Sequence, residues 1–411
     1  MVGAPNQSPD EARLALRLPL LRRRYPTIED LERRAARRIP RFAFEFLQGG
    51  AGDESGLSRN RSALRGIEIV PRYGIEAGDV DPSVELFGHR YAAPIGISPI
   101  GMDGLMWPGA TELFARAAQR MNIPYLVGTL ATARVEDVAR WAPDVTWFQL
   151  YPIAAADHRV SFDLAARAQA AGARALVATL DVPVRSKRPR DLRNGFVMPF
   201  RLSYRNALEV AASPPWLRAL ARRGMPRFAN IEAYAGGGDP ATFVGAHVGG
   251  GFAWDVLARL RDRWRGPMLV KGVLHAADAE TARAIGMDGV IVSNHGGRQF
   301  DAAPASVDML PSIAAAVGRD MTVILDSGVT SGVDVMRALA CGAHSTFSAR
   351  AFMLALAAIG DDGARHMAAS FIEEFTLALG QSGLRSAAEA RKAPVRHATA
   401  WTWPAQTGDA R

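Results

Sequence analysis

Short apolar runs recur along the chain, and most are followed by a stretch in which apolar positions repeat at helical spacing. Buried strands that alternate with helices predict a parallel sheet, and eight such units are the number at which a (β/α)₈ barrel of the TIM type closes. An open, doubly wound sheet is the alternative, but it usually has fewer strands and a Gly-rich dinucleotide turn, which we do not find. The runs are "APIGIS" (93–98), "PYLVGT" (124–129), "TWFQLY" (146–151), "ALVATLD" (175–181), "MLVKG" (268–272), "GVIVSN" (289–294), "TVILDSG" (322–328) and "STFSA" (345–349).

The segments around the barrel pattern predict additions to an α/β fold. The stretch "TIEDLERRAARRIPRFAFEFLQGG" predicts two helices that Pro40 separates, with Thr27 as the N-cap of the first. A long insertion in which Pro, Gly and Arg are frequent follows the fourth strand. The predicted parts are an N-terminal helical extension (1–90), the barrel domain (91–390) with its insertion (about 185–265), and a C-terminal tail (391–411).

Composition narrows the class of protein. The 411 residues are 48% hydrophobic and 22% charged, which is typical of a globular chain. The formal net charge of +8 comes almost wholly from arginine, and no nucleic-acid motif accompanies it, so we expect a solvated basic surface and no nucleic-acid partner. The single Cys341 excludes an internal disulfide. No apolar run is long enough to span a membrane, and arginines interrupt the N-terminal "LALRLPLLRRR", so a cytoplasmic protein is predicted.

Polar and ionisable residues stand where several predicted strands end. The carboxyl ends of barrel strands meet at one face, which is where such barrels carry their catalytic groups. The stretch "SNHGGRQFD" places His295 and Arg298 at that face, and Lys271 lies inside an otherwise apolar strand. A single strand-end histidine is as often structural as catalytic, but packing explains a coincidence on several strands poorly. The residues at these positions are Gln149, Tyr151, Thr179, Asp181, Lys271, Ser293, His295, Arg298 and Asp326.

Several motifs resemble those of the FMN-dependent α-hydroxy-acid oxidases and dehydrogenases, a family that includes glycolate oxidase, lactate oxidases and dehydrogenases, and mandelate dehydrogenase. The similarity covers about residues 27–390, and "GLMWP" with "RRGMPRFAN" is most similar to the mandelate dehydrogenases. It implies an enzyme with FMN that oxidises an L-2-hydroxy acid to the 2-oxo acid. The motifs are "GISPIGMDGLMWP", "WFQLY", "TLDVPVRSKRPRDLRN", "LVKGV", "SNHGGRQFD", "ILDSGVTSGVDVMRALACGA" and "SARAF".

The resemblance implies roles for five catalytic residues. His295 is the expected base, while the substrate's α-hydrogen is transferred to flavin N5, and imidazole suits this role because it titrates near neutrality. Asp181 is expected to orient the ring. Arg298 and Arg188 match the pair that binds the substrate carboxylate with charge-assisted hydrogen bonds. Tyr151 matches the tyrosine whose hydroxyl meets the substrate oxygen.

The resemblance also implies the FMN site. Lys271 is the expected cation beside flavin N1 and O2, although a lysine that caps a strand-end carbonyl is the alternative. The phosphate site is expected after strands seven and eight, as in many barrels. The ring and ribityl contacts are expected from Pro99, Ile100, Gly101, Gly128, Gln149, Thr179 and Ser293, and the phosphate and ribityl contacts from Asp326, Ser327, Gly328, Val329, Thr330, Ala349 and Arg350.

Four positions depart from the family pattern. Phe46 stands where a tyrosine usually bonds the substrate carboxylate, and losing such a bond to a charged group costs about 1.5–3 kcal/mol. Gly128 replaces a small hydroxyl residue, Thr330 an arginine and Ala349 a glycine. Two alternatives therefore stay open beside the leading one: a bulky or peptide-derived hydroxy acid as substrate, and a catalytically silent barrel with a binding role.

The segment 213–228 is basic and amphipathic, and it has two interpretations. "PPWLRALARRGMPRF" either lies on an anionic membrane surface, which would make the protein peripheral at the inner face of the membrane, or packs over the mouth of the site. The electron acceptor is oxygen or quinone, and the family precedent is a homotetramer. The other histidines lack metal-ligand spacing, so no metal site is expected.

Overall fold

The computed structural model describes residues 9–75, 78–195 and 203–401, and the ends of the predicted extension and tail, together with part of the predicted insertion, lie outside these residues. The chain begins with four helices, of which the second has Thr27 as its N-cap and the third starts directly after Pro40, as predicted. The Thr27 side chain accepts a hydrogen bond from the Asp30 amide and the Asp30 carboxylate accepts one from the Thr27 amide, which forms a capping box. These elements are α1 (Pro9–Arg24), α2 (Ile28–Ala35), α3 (Arg41–Gln48), α4 (Ser55–Arg65), β1 (Glu68–Ile69), β2 (Val84–Leu86) and β3 (His89–Tyr91).

Eight parallel strands then close into a barrel, with every neighbouring pair in chain order bonded and the last strand bonded to the first. Each predicted apolar run forms one of these strands, and nearly all of their residues are buried, because a barrel strand is covered by helices outside and by side chains inside. The predicted (β/α)₈ barrel is therefore confirmed. The strands are β4 (Ile95–Ile97), β5 (Tyr125–Gly128), β6 (Thr146–Leu150), β7 (Leu176–Thr179), β8 (Met268–Val273), β9 (Gly289–Val292), β10 (Thr322–Asp326) and β11 (Ser345–Ser348).

Helices follow the strands of the first half of the barrel and begin its outer layer. They are α5 (Asp103–Met106), α6 (Ala110–Met121), α7 (Val135–Trp141) and α8 (Arg159–Ala170).

The long connection between β7 and β8 carries further helices. They are α9 (Pro189–Arg193), α10 (Tyr204–Ala211), α11 (Pro214–Arg223), α12 (Pro240–His247) and α13 (Trp254–Arg263). In α11, Trp216 is buried and its indole N–H donates to the Leu105 carbonyl at 3.0 Å, while Leu217 and Leu220 are half-buried against the core. The apolar side of this helix thus faces the protein.

The second half of the barrel completes the outer layer. Its helices are α14 (Ala276–Ala284), α15 (Ser306–Val317), α16 (Gly332–Ala340), α17 (Arg350–Ile359), α18 (Gly363–Gln381) and α19 (Ala387–Ala390). A 3₁₀ turn, His295–Gly297, lies between β9 and α15. The chain returns at β12 (Val395–Arg396), which pairs antiparallel with β1 and ties the two ends of the fold together.

Within the described ranges, no helix combines the length and the apolar character that crossing a bilayer requires. Membrane contact through 213–228 stays a prediction. Helix α11 directs Trp216 inward and leaves Arg218 and Arg222 exposed, and Met225 just after the helix is also exposed.

Candidate active site

A cavity of about 940 Å³ lies at the carboxyl ends of the barrel strands. This is the face at which such barrels carry their sites, and small-molecule sites commonly span roughly 300–1,000 Å³. Most of the residues predicted for catalysis or cofactor binding line it. They are Phe46, Pro99, Ile100, Gly101, Tyr151, Thr179, Arg188, Lys271, His295, Arg298, Asp326, Ser327, Gly328, Val329, Thr330, Ala349 and Arg350.

The other four predicted residues, Gly128, Gln149, Asp181 and Ser293, lie directly behind the lining. Gln149 donates to the Thr179 hydroxyl at 2.8 Å, the Ser293 hydroxyl accepts from the Lys271 ammonium at 2.9 Å, and Asp181 accepts from His295. A Cβ built on Gly128 would lie 3.6 Å from the Pro99 Cβ. The structure therefore brings all the predicted residues to one region, although these four support the wall rather than form it.

His295 lies between a carboxylate and a phenol. Its Nδ1 is 2.9 Å from Asp181 Oδ1, and its Nε2 is 3.3 Å from the Tyr151 hydroxyl. With the proton on Nδ1, the ring donates to Asp181 and its Nε2 is left as an acceptor that faces Tyr151. The second oxygen of Asp181 is buried without a hydrogen-bond partner among the described residues, so this carboxylate acts mainly on His295. This arrangement presents a basic nitrogen to the cavity.

The surroundings change the titration of all three groups. Burial lowers the pKa of His295, and the positive charges of Lys271 and Arg188 add to this, although Asp181 opposes it. The pKa of Asp181 is also lowered: burial raises it, but His295 and Lys271 outweigh that effect. Burial, followed by the charge of Asp181, raises the pKa of Tyr151 to about 12. At neutral pH the site therefore contains a neutral imidazole, a carboxylate and an intact phenol O–H.

The backbone around these groups is unusual. His295 has a positive φ of 58°, which costs a non-glycine residue about 1–2 kcal/mol, and its amide donates to the Ser293 hydroxyl at 3.0 Å. Gly272 interrupts the register between β8 and β9, and a Cβ at Gly272 would lie 2.5 Å from the Asp181 Cγ. The bulge at Gly272 thus makes the space in which Asp181 reaches His295, and sequence reasoning missed this residue although it is part of "LVKGV".

Two arginines line the cavity beside His295. Arg298 Nη1 donates to the carbonyls of Phe46 (2.6 Å) and Gly49 (2.8 Å), and Arg188 Nε donates to the Arg298 carbonyl (3.1 Å). Burial, then the charges of Arg188 and Arg350, lowers the pKa of Arg298 well below its usual range. Within the described part of the chain, Arg188 has one ion-pair partner, Asp191, which lies 3.8 Å from its Nη1, and Arg298 has none. The pair is therefore short of negative charge, which a substrate carboxylate would supply.

Phe46 packs against one of these arginines. The Arg298 guanidinium lies over its ring, 4.8 Å from the centroid. The backbone carbonyl of Phe46, in helix α3, also accepts a hydrogen bond from Arg298. Phe46 therefore holds the arginine through both its ring and its backbone. The departure from tyrosine thus replaces a hydroxyl with an apolar surface beside Arg298, which is predicted to bind the substrate carboxylate.

Lys271 lies at the floor of the cavity in a buried ion pair. Its Nζ is 2.7 Å from Asp326 Oδ2, and the Ser98 hydroxyl donates to the same oxygen at 3.1 Å. Burial alone would lower the pKa of Lys271, but Asp326 and Asp181 raise it overall, so the ammonium stays charged. Ser98 lines the cavity and was not predicted, although its position just before Pro99 at a strand end was a usable signal.

The end of the cavity beyond β10 and β11 is shaped by Arg350 and the segment 326–330. Arg350 donates to the carbonyls of Leu47, Gly49 and Gly296, and burial lowers its pKa to about 10. Thr330, which replaces the family's arginine, donates through its amide and hydroxyl to Asp334. Arg350 is thus the arginine at the predicted phosphate position.

These features fit FMN. The flavin ring can accept negative charge, the phosphate is an anion, and the cavity contains a buried ammonium at Lys271 and a buried guanidinium at Arg350 that lacks a carboxylate partner among the described residues. The wall at 99–101 presents backbone and proline surface rather than charged side chains, which suits a flat ring. The residues that would hold the group are thus Lys271, the wall at 99–101 and the segment around Arg350.

Comparison with known proteins identifies the family. Residues 35–397 match the family model described as FMN-dependent dehydrogenase. The chain therefore belongs to this family of FMN-dependent hydroxy-acid oxidoreductases, which confirms the predicted family, enzyme class and cofactor.

Named relatives act on two different hydroxy acids. The chain is 38% identical over 364 residues to an L-lactate dehydrogenase of Caulobacter vibrioides (strain NA1000 / CB15N), covering 87% of this chain and 94% of the relative. It is 37% identical over 358 residues to an L-lactate oxidase of Lysinibacillus sphaericus (strain C3-41), covering 87% and 89%. Among solved structures, it is similar to the monotopic membrane protein (S)-mandelate dehydrogenase (TM-score 0.84, 33% identity, covering 89% and 97%) and to mandelate oxidase (0.78, 35%, 91% and 99%).

Proposed function

We propose that the protein oxidises an L-2-hydroxy acid with an apolar substituent to the corresponding 2-oxo acid. The observation that carries this proposal is the contact of His295 with both Asp181 and Tyr151. Beside this group lie Arg188 and Arg298, whose positive charge is only partly balanced by nearby carboxylates. His295 has a backbone conformation in the left-handed region, which costs stability. Such strain is typical of functional sites, so the catalytically silent barrel is disfavoured.

The residues divide the work of the reaction. Arg188 and Arg298 bind the substrate carboxylate with hydrogen bonds between opposite charges. The Tyr151 hydroxyl donates a hydrogen bond to the substrate oxygen, and His295 Nε2 accepts the proton of the substrate hydroxyl. Asp181 stabilises the imidazolium that results, since it already accepts from Nδ1. FMN, when bound, supplies the two-electron acceptor for the α-hydrogen.

The preference for an apolar substituent follows from apolar side chains that line the cavity. Phe46 packs on Arg298, and Val182, Val244 and Val248 line the same cavity. Burying apolar substrate surface against such side chains favours binding by about 25 cal/mol of free energy for each Å² removed from water. Mandelate neighbours among the solved structures agree with an aromatic substituent.

The test is anaerobic reduction of the flavin in the purified FMN-loaded protein. We expect L-mandelate to bleach the flavin absorbance with a larger second-order rate constant of reduction than L-lactate or glycolate, and D-mandelate to be inert. A protein that L-lactate or glycolate reduces best would contradict the apolar preference, and one that no hydroxy acid reduces would contradict the proposed reaction.

Phe46→Tyr tests the specificity directly. The added hydroxyl can bond the substrate carboxylate, so we expect kcat/KM for L-lactate to rise by about tenfold or more. The matched control is Phe44→Tyr, which lines the cavity from the same helix. An equal effect of both variants, or none from Phe46→Tyr, would remove Phe46 as the cause.

The electron acceptor, oligomeric state and location are part of the same proposal. The named relatives include both an oxidase and dehydrogenases, which leaves oxygen and quinone as the two candidates. Peroxide formed in step with the 2-oxo acid would identify oxygen, whereas turnover that needs a soluble quinone would identify the dehydrogenase reaction. Sedimentation analysis tests the expected homotetramer, and cell fractionation tests the cytoplasmic or peripheral location.

A further inference from the structure

A second cleft, which we term the basic cleft, opens on the outside of the barrel. It has a volume of about 740 Å³ and shares no lining residue with the catalytic cavity. Its walls come from the N-terminal helices, the segment between α5 and α6, and the end of α11. We define it by Arg17, Arg38, Trp107, Arg218, Arg222 and Arg223.

Two hydrogen-bond donors in the basic cleft are buried and unused. The indole N–H of Trp107 and the Nε of Arg38 have no partner among the described residues, and Trp107 is only 4% exposed. The Arg38 guanidinium lies over the Trp107 ring, 5.2 Å from the centroid. Buried donors almost always have a partner, so the pair indicates an acceptor from outside the described residues.

The carboxylates in the basic cleft are already neutralised. Five arginines and three carboxylates line it, and each carboxylate lies within ion-pair distance of at least one arginine. The pairs are Arg116–Glu112 (2.8 Å), Arg223–Glu112 (3.0 Å), Arg223–Asp361 (3.6 Å), Arg17–Asp362 (2.5 Å) and Arg365–Asp362 (2.6 Å).

Three of the arginines are left without such a partner in the described part of the chain: Arg38, Arg218 and Arg222. Burial lowers the pKa of Arg38, and the nearby charges of Arg34 and Arg218 lower it further. Like charges held together in this way favour an anion between them.

The cleft is also shaped by its backbone. Gly109 has a φ of 80°, and a Cβ there would lie 2.1 Å from the Arg223 Cδ. Because Gly109 has no side chain, the Arg223 side chain can pass over it and form ion pairs with Glu112 and Asp361. These ion pairs hold the end of α11 beside the cleft.

We propose that the basic cleft binds a phosphate group, either free in solution or on the headgroup of an anionic lipid. Unpaired guanidinium groups together with an indole N–H supply more donors than the two oxygens of a carboxylate can use, whereas a phosphate has enough acceptor oxygens. Binding here is independent of the proposed reaction, because no residue of the cleft lines the catalytic cavity.

The first test is calorimetric titration of the FMN-loaded protein with inorganic phosphate at constant ionic strength. We expect saturable binding that the double variant R218Q/R222Q weakens about tenfold or more, and that Trp107→Phe weakens by a smaller factor. The matched control is R265Q/R319Q, which removes two exposed arginines that have no ion pair in the described residues and lie outside the cleft. Turnover of the hydroxy acid should be unchanged in all three, which shows that they fold.

The second test distinguishes the two sources of phosphate. Sedimentation with vesicles of phosphatidylglycerol, compared with vesicles of phosphatidylcholine, should detect binding that R218Q/R222Q weakens and R265Q/R319Q does not if a lipid headgroup is the source. Free phosphate is the source if only the calorimetric binding shows this difference. Equal effects of the two double variants on both probes, or no binding of either probe, would overturn the proposal.

Discussion

His295 shows how one residue's environment sets its chemistry. Its Nδ1 is committed to Asp181, its Nε2 faces the cavity, and burial keeps the ring neutral to a lower pH than an exposed histidine. A group that must act as a base benefits from this shift, because the basic form is then present throughout the neutral range.

The pH profile of kcat/KM should report this shift. If His295 is the base, as we propose, it must be neutral and activity is lost as pH falls through its pKa. We then expect the acidic limb to lie below the ordinary imidazole value of about 6.5, because burial lowers this pKa. Asp181 raises this pKa, so Asp181→Asn should move the limb to still lower pH and reduce kcat by about 10²-fold.

Asp191→Asn is the matched control for this prediction. Asp191 lies near Arg188 and is not among the main groups that shift the pKa of His295, so this variant should largely keep the limb and change substrate binding. An unchanged profile and rate in Asp181→Asn would show that the carboxylate does not support the base.

At the scale of the element, strand β8 carries two site features in consecutive residues. Lys271 points its ammonium to the cavity floor, and Gly272 forms the bulge that admits Asp181. The bulge shifts the register with β9 between Lys271 and Val273. One irregularity in one strand thus decides whether Asp181 and His295 meet.

Gly272→Ala tests the role of the bulge. The new Cβ would overlap Asp181, so we expect the Asp181–His295 contact to break and kcat to fall about as far as in Asp181→Asn. Both this variant and Gly172→Ala place alanine at a positive φ, which costs about 1–2 kcal/mol of stability, but at Gly172 no atom lies within 4 Å of the place that a Cβ would take. Gly172→Ala should therefore lose stability, measured by urea unfolding, and keep its activity. Equal activity in the two variants would contradict the assigned role of Gly272.

At the scale of the molecule, buried polar groups join strands around the top of the barrel. Lys271 from β8 pairs with Asp326 from β10, and hydroxyls that follow β4 and β9 complete the group. Ser98 and Ser293 supply these hydroxyls. Such a group costs desolvation energy but is stable when every member is paired.

Lys271→Met should destabilise the protein by about 3–5 kcal/mol, because it leaves the Asp326 carboxylate buried without its cation. The double variant K271M/D326N removes both charges and should recover part of this loss in urea unfolding of the FMN-free protein. Both variants should bind FMN more weakly than the wild type, since both lack the ammonium. A double variant no more stable than Lys271→Met would show that the unpaired charge is not the cause.

The barrel and most of its site could be predicted from local patterns in the sequence. Short apolar runs specify buried strands because both faces of a barrel strand are covered, and Thr27 with Asp30 marks a helix start through purely local hydrogen bonds. Polar residues at the strand ends, such as His295 and Lys271, could be assigned to one face because parallel strands emerge there together.

Which of these groups touch could not be predicted in this way and is seen only in the folded protein. The contacts of His295 with Asp181, of Lys271 with Asp326, and of Arg38 with Trp107 join residues far apart in the chain. The first two depend on how the barrel closes, and the first also on the bulge at Gly272, whereas the third depends on how the N-terminal helices pack on the barrel; none of these leaves a periodic signal. Local patterns record burial and backbone preference, whereas contacts between distant residues follow from the register in which the whole barrel packs.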